Sequence, residues 1–424
     1  KDLKRISGCK KALFFRNDWL NFNPVIPCGL MARDFHLIEV RTKKDIREFN
    51  DLPSVIYKDD SNWIRPLTKE IEIVFNPALN HQFRNGEAIR WILKDGSGKT
   101  VGRVAAFYSR KIANKDQMPV GGMGFFECIN DSEAAAALFD ACRAWLEDNG
   151  MTAMEGPENF GERDRWWGLL VDGFLPPNFC MPYNPPYYRE LFENYGFKNY
   201  FEQYTYHSPV TDRNLDEVIR TKAERIFANP DYTFRYMRKW EARDTARYFM
   251  IVYNKGWARF PGVKTISERH ARMILKSFRA IHDEKLVWFG FYKNEPVCFF
   301  IMLPEVNQII RHLNGRMNNI GRLKFLWYRY VRKELTKAFG MIFGIIPEHQ
   351  RKGVEGALII SFARMALKND FPYKELEFNW IGDFNPSMMH LLDQIGARII
   401  KTHITYRYLF DRNAPFSRAP VVNV

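Results

Sequence analysis

At 424 residues, with 46% apolar and 26% charged side chains, the chain is too long for one hydrophobic core and too ordinary in composition for a disordered or low-complexity protein. Two globular domains are therefore expected. A net charge of +14 points to anionic partners, a nucleotide cofactor, nucleic acid or an acidic membrane surface, without choosing among them.

The apolar runs, such as Val297 to Leu303, are far shorter than the roughly 20 residues of a membrane-crossing helix, so no membrane span is expected. Six cysteines (Cys9, Cys28, Cys128, Cys142, Cys180, Cys298) show no spacing that would chelate a metal, and free thiols in apolar runs imply a reducing, cytoplasmic compartment. The chain begins at Lys1, and Met31 is a candidate start ahead of the first strand-like run.

In chain order, Ile46, Phe49, Leu52 and Ile56 predict an amphipathic helix over 42–57, with Pro53 kinking or ending it. Runs 88–93 and 101–107 flank the turn-rich 94–99 segment and read as a hairpin. A strand over 124–128 leads to Asp131-Ser132, an N-cap for the alanine-rich helix 133–148, and 152–156 reads as the next strand. A long aromatic, glycine-punctuated stretch, 154–174, is expected to line a pocket between the domains and help select a substrate. Helical spacing resumes over 185–195 and a strand over 200–206.

The second half repeats the order: a hairpin of 286–292 and 297–303, a strand over 339–346, a helix over 353–368, a strand over 375–381, a helix over 385–395 and a final strand over 399–409. The repeat is sharpest where Asn184 to Gly196 parallels Asn385 to Gly396, spans that differ by one residue. The division falls near 208–214, giving an N-terminal extension 1–33, domains 34–210 and 211–412, and a tail 413–424.

Chemistry concentrates at Ile345-Ile346-Pro-Glu-His349-Gln350-Arg351-Lys352-Gly353-Val354-Glu355-Gly356-Ala357. A glycine-bearing basic turn between a strand and a helix aims backbone N–H groups and the positive helix end at one point, as holding a pyrophosphate requires. His349 beside this turn is the one histidine with a suggestive position. From Arg311 to Lys337 eight basic residues meet one acid, Glu334, interleaved with Trp327, Tyr328 and Tyr330. A solvated helix face accounts for this run more simply than a nucleic-acid surface.

The turn resembles the CoA-phosphate cradle of the GNAT acyltransferases, Gln/Arg-x-x-Gly-x-Gly/Ala, through Gln350, Gly353 and Ala357-Leu358. Glu355 stands where the second Gly or Ala belongs, with Gly356 one place later. Gly124-Phe-Phe-Glu, Glu155-Gly-Pro, Tyr183-Asn-Pro-Pro-Tyr-Tyr and Glu375-Leu-Glu-Phe extend the resemblance to bacterial proteins with paired GNAT-like domains, over 35–410.

The resemblance implies an α/β (α+β) fold of two tandem GNAT-like domains, each a mixed, mostly antiparallel sheet flanked by helices, with the cradle in the second only. It implies acetyl-CoA or another acyl-CoA held by Ile345, Ile346, Gln350 to Val354, Gly356, Ala357 and Asn385, and transfer of the acyl group to a small-molecule or peptide amine. Glu377 and Asp383 are the candidate bases. At the family's general-acid tyrosine this chain has Leu392, and Phe192 in the first half. Two alternatives stand beside this reading: a binding protein that has lost catalysis, and an aminoacyl transferase fed by charged tRNA. Nucleic acid is thus a possible partner but not the favoured one.

Overall fold

The computed structural model describes residues 34–110, 118–161, 163, 165–211, 215–257, 264–368 and 370–421. The expected extension 1–33, with Met31, Cys9 and Cys28, lies outside the described residues, as do positions 212–214 of the expected division.

The strands are β1 (His36–Glu39), β2 (Gly86–Lys94), β3 (Thr100–Ser109), β4 (Val120–Cys128), β5 (Ala153–Gly156), β6 (Leu169–Asp172), β7 (Lys198–Pro209), β8 (Tyr232–Tyr236), β9 (Val287–Tyr292), β10 (Glu295–Pro304), β11 (Lys337–Ile345), β12 (Glu375–Gly382) and β13 (Arg398–Leu409). The helices are α1 (Lys43–Ile56), α2 (Thr68–Val74), α3 (Ser132–Asp148), α4 (Tyr188–Tyr195), α5 (Glu217–Phe227), α6 (Ala242–Gly256), α7 (Glu268–Ser277), α8 (Asn307–Ile310), α9 (Asn319–Leu326), α10 (Val354–Ala366) and α11 (Pro386–Gln394). Every element expected from periodicity is present. Pro53 sits inside α1 without ending it, and Thr42 with Asp45 forms a capping box at its start.

All strands join one mixed sheet in the order β1-β2-β3-β4-β5-β13-β7-β12-β11-β10-β9-β8, with β6 added beside β13. Most pairs are antiparallel, while β4 with β5 and β11 with β12 run parallel. The centre of the sheet holds the notable step. The last strand of each half lies nearer the other half, because β13 pairs with β5 and β7 pairs with β12.

Packing follows this exchange. Ile404, Tyr406 and Tyr408 of β13 enter the core built on β3, β4, α3 and α4, whereas Tyr206 of β7 enters the core built on β9 to β12, α5, α6 and α10. Alternation along a strand sends every second side chain to one face, so a twelve-residue strand carries enough apolar positions to complete a core that its own half did not build.

Candidate functional site

Each parallel pair splits. β11 and β12 share a ladder only over Lys337–Gly340 and Glu375–Phe378, after which β11 stays with β10 and β12 with β7. The register slips between Ile301 and Met302, leaving Met341 of β11 as the extra residue of a bulge beside the split. β4 and β5 repeat the pattern, pairing only over Val120–Gly122, with positive φ at Phe125 on β4.

The two splits differ in what fills them. In the first half the chain after β5 turns back into its own gap: Glu158 donates its N–H to the Met123 carbonyl at 2.8 Å. Its backbone and carboxylate lie so close to Gly124 and Gly122 that a Cβ at either glycine would sit within about 2 Å of them. In the second half no described loop backbone bonds into the gap. The Trp257 indole N–H bonds the Phe343 carbonyl at 3.0 Å.

The helices after the splits differ too. Asp131 caps α3, its carboxylate accepting the N–H groups of Glu133 and Ala134 at 3.0 Å each. A fixed carboxylate there takes the donors that a phosphate would need and repels its charge. The first half, expected to lack a cradle, thus has a carboxylate-capped helix at the corresponding place. Helix α10 begins at Gly353 with no side-chain cap. Among the described residues the N–H groups of Lys352 to Gly356 have no acceptor, and the first helical bond runs from Ala357 to the Gly353 carbonyl. Arg351 and Lys352 are exposed beside them.

The cradle residues are locally determined. Gln350 donates its side-chain N–H to the Ile345 carbonyl at 3.1 Å, tying the turn to the end of β11. His349 shares a 2.6 Å hydrogen bond with the Tyr232 hydroxyl and packs on Tyr292, and burial and the neighbouring Lys352 hold its pKa below the usual histidine range. Gly353 has φ +96°, a conformation that favours glycine, and both glycines lie under α5: a Cβ on Gly353 would stand 2.7 Å from that of Lys222, and one on Gly356 3.0 Å from Ile219. Helix packing alone accounts for these two glycines. The Glu355 carboxylate lies near Cys298 of β10, whose thiol is pushed up first by burial and further by that charge. One oxygen of the Glu355 carboxylate is buried and has no hydrogen-bond partner among the described residues. Asn385 caps α11, accepting the Met388 N–H at 3.2 Å.

Between α10 and α11, over β10 to β12, lies a partly open apolar cleft, lined among others by Phe343, Ile359, Phe362, Phe378, Leu391 and Leu392. Leu392 and Phe192, at the two tyrosine positions of the resemblance, are both core residues.

The candidate carboxylates part company. Asp383 follows β12 at the same end of the split as the cradle and is bridged by Arg418. Glu377 pairs with Phe339, six residues or about 20 Å from Ile345 along β11. It is fully buried and accepts from Lys401 at 2.8 Å, from Asn178 at 2.8 Å and from Lys337. Burial alone would raise its pKa, but the two lysines hold it below the usual range.

The first half holds a network that the sequence reading missed. Glu127 of β4 is buried, accepts from Tyr57 at 2.7 Å and Tyr188 at 2.9 Å, and meets Arg103 at 3.3 Å. Burial pushes its pKa up against the pull of Arg103. It borders a partly open pocket to which the aromatic stretch contributes Pro157, Trp166, Gly168 and Leu169, and whose lining all falls between Asn50 and Tyr188. A lone Glu in Phe-Phe-Glu-Cys within a strand of apolar alternation was the available signal.

Each half carries a split parallel pair followed by a helix, and the chain shares this fold with solved GNAT proteins, one of them a tandem protein: it has the GNAT superfamily fold in its tandem form. A tandem GNAT protein from the clavulanic acid biosynthesis pathway matches with a TM-score of 0.50 at 9% identity, covering 90% of this chain and 100% of that one. A glucosamine N-acetyltransferase region in a fungal multi-domain β-N-acetylglucosaminidase matches with a TM-score of 0.52 at 12% identity, covering 91% of this chain, which spans 39% of that longer protein. In sequence the chain is 26% identical to protein YghO of Escherichia coli K12 over 395 residues, covering 92% of this chain and 97% of the relative. It is likewise 26% identical to the bacterial ceramide synthase of Caulobacter vibrioides NA1000 over 387 residues, covering 90% and 99%. No family model matches the chain. No helix among the described residues is long and apolar enough to cross a membrane. Nor do the described residues group three or more potential metal ligands.

Proposed function

We propose that this chain transfers an acyl group from acyl-CoA to an amine, with the cofactor held by the second half. The observation that carries the reading is the pairing, in that half alone, of an unbridged strand split with an uncapped, cation-flanked helix terminus. The N–H groups of Lys352 to Gly356 and the charges of Arg351 and Lys352 take the pyrophosphate, and Ile345, Ile346, Val354 and Ala357 form the adjoining wall. The pantetheine lies along β11 in the split, where the Trp257 indole and the Gln350 amide already hold the Phe343 and Ile345 carbonyls, and the apolar cleft between α10 and α11 takes the acyl chain. The amine nitrogen attacks the thioester carbonyl, the C–N bond forms as the C–S bond breaks, the amine proton passes to a base, and CoA leaves as thiolate. Asp383 stands at the cradle end of the split and is the better placed of the two carboxylates for that proton, while Glu377 is committed to its lysines. Alignment of the reactants supplies much of the rate.

A ceramide is by definition an amide of a fatty acid with a long-chain amino alcohol, so the relative named a ceramide synthase favours an amino-alcohol acceptor and a long acyl donor here. The buried, non-ionising Leu392 in place of a proton donor favours a second reading, a CoA-binding protein without turnover.

Calorimetric titration with acetyl-CoA and longer acyl-CoAs tests the site. Wild-type protein should bind saturably, and Gly353→Asp or the exposed Lys352→Glu should weaken binding at least tenfold. A wild type that binds none of these ligands would end the acyl-CoA reading. Binding without CoA release across a panel of amines would leave the second.

A further inference from the structure

The basic run absorbed by neither the fold nor the cradle folds as α9 and the helical turn Trp327–Val331 that continues it. Its inner face is anchored, because Phe325 and Tyr328 pack against the second core and Tyr328 stacks on His312. Its outer face is apolar. Ile320 and Leu323 are 65% and 68% exposed, and Leu326, Trp327, Tyr330 and Val331 are each at least half exposed. At about 100° per residue these six side chains fall in one arc of about 140°, opposite Phe325 and Tyr328. Among the described residues the other exposed large apolar side chains are scattered, and only here do six fall within twelve residues.

Charge frames the stripe. Between Arg316 and Lys333 there are six cations and no acid. Arg329 bonds the Ala280 carbonyl and Arg332 lies 3.6 Å from Glu334, but Arg316, Arg322, Lys324 and Lys333 make no ion pair among the described residues. None of the six belongs to a core cluster of the described residues, and an exposed apolar surface of this extent marks an interaction face.

We propose that α9 and the turn after it form an interfacial helix that seats the protein on an anionic lipid bilayer, the stripe entering the acyl boundary and the flanking cations meeting the headgroups. Trp327 and Tyr330 have rings suited to headgroup depth. Aliphatic Ile320, Leu323, Leu326 and Val331 offer nothing for a base to stack on, which disfavours nucleic acid. Two copies joined through this face would set Arg322, Lys324 and Lys333 against themselves, which disfavours self-pairing. This inference does not depend on the acyl-transfer reading.

Co-sedimentation of the full chain with phosphatidylcholine vesicles, with and without phosphatidylglycerol, tests it at low and high salt. The protein should pellet with the anionic vesicles and much less with the neutral ones, and salt should weaken but not abolish the binding. Leu323→Glu with Trp327→Glu should cut partitioning at least tenfold. Arg322→Gln with Lys333→Gln should cut it by about fivefold per cation. Both variants should keep the wild-type melting temperature because the four residues are exposed. Three results would overturn the proposal: no pelleting with anionic vesicles, vesicle binding indifferent to Leu323→Glu/Trp327→Glu, or RNA retention or self-association in place of vesicle binding.

Discussion

Lys401→Met is a sharp probe of the charged centre of the sheet. Lys401 and Glu377 are both fully buried, and Glu377 is shared with the half-buried Lys337 and with Asn178. Removing Lys401 deletes one charge-assisted bond but leaves Glu377 with two partners, so the cost should be about 2 kcal/mol. Glu377→Leu is worse. It strands the Lys401 ammonium in the interior and deprives Asn178 of an acceptor, and breaking a buried pair from one side costs about 3–5 kcal/mol. In Lys401→Met/Glu377→Leu no stranded buried charge remains except Lys337, whose head is partly solvated. The double variant should then be at least about 1 kcal/mol more stable than Glu377→Leu alone, because an apolar pair can replace a buried ion pair at little cost. Urea unfolding followed by tryptophan fluorescence at neutral pH reads all four proteins. If the losses of the single variants simply add, Lys401 and Glu377 are not energetically coupled and the charged centre is not the unit described.

Gly353→Ala should destabilise the protein by about 2–3 kcal/mol, through positive φ and contact with Lys222, and a thermal shift near zero would mean that α5 yields easily. Burial raises the Glu305 pKa from 4.5 to about 7 against its bonds to the N–H groups of Phe179 and Asn307, so the folded state holds a proton that the unfolded chain gives up earlier. Its contribution is present below about pH 4.5 and lost as pH rises to about 7, about 3 kcal/mol in all, and Glu305→Gln should flatten that slope in denaturation midpoints measured across the window. Residues 34–210 expressed alone should fail to give a cooperative transition in circular dichroism and should gain one on mixing with 211–421, since β13 completes the first core. An isolated first half that unfolds cooperatively would contradict this.

The elements with strong periodicity were legible: both hairpins, the capped α3, the apolar α10 and the long last strand of each half follow from spacing and caps alone. Short pieces were not. β1, β6 and α2 are four to seven residues long and carry too few repeats for a period to register, and β6 hides in an aromatic loop. The strand exchange was invisible for a different reason. β7 and β13 have the same length and similar alternation, so either would suit either slot, and only the partners across the ladder distinguish them. At the cradle, strand, turn and helix were readable as a unit. That α5 rests on Gly353 and Gly356 was not, because the contact joins segments far apart in the chain. The burial of Glu377 between two lysines was not legible, since both arrive from other strands.

The exchange gives the first half a task in the second. Its own gap is occupied by Glu158 and its helix is closed by Asp131, unlike the gap and helix of the second half. Yet its last strand, β7, forms the ladder on the far side of β12, and Asn178 and Phe179, from the segment before α4, bond Glu377 and Glu305 at the foot of the split. Where β11 and β12 part, β12 has only β7 to hold its backbone. The width of the gap therefore rests on a strand and a loop supplied by the first half. Changes in the first half, far from the cradle in sequence, act on the gap through β12.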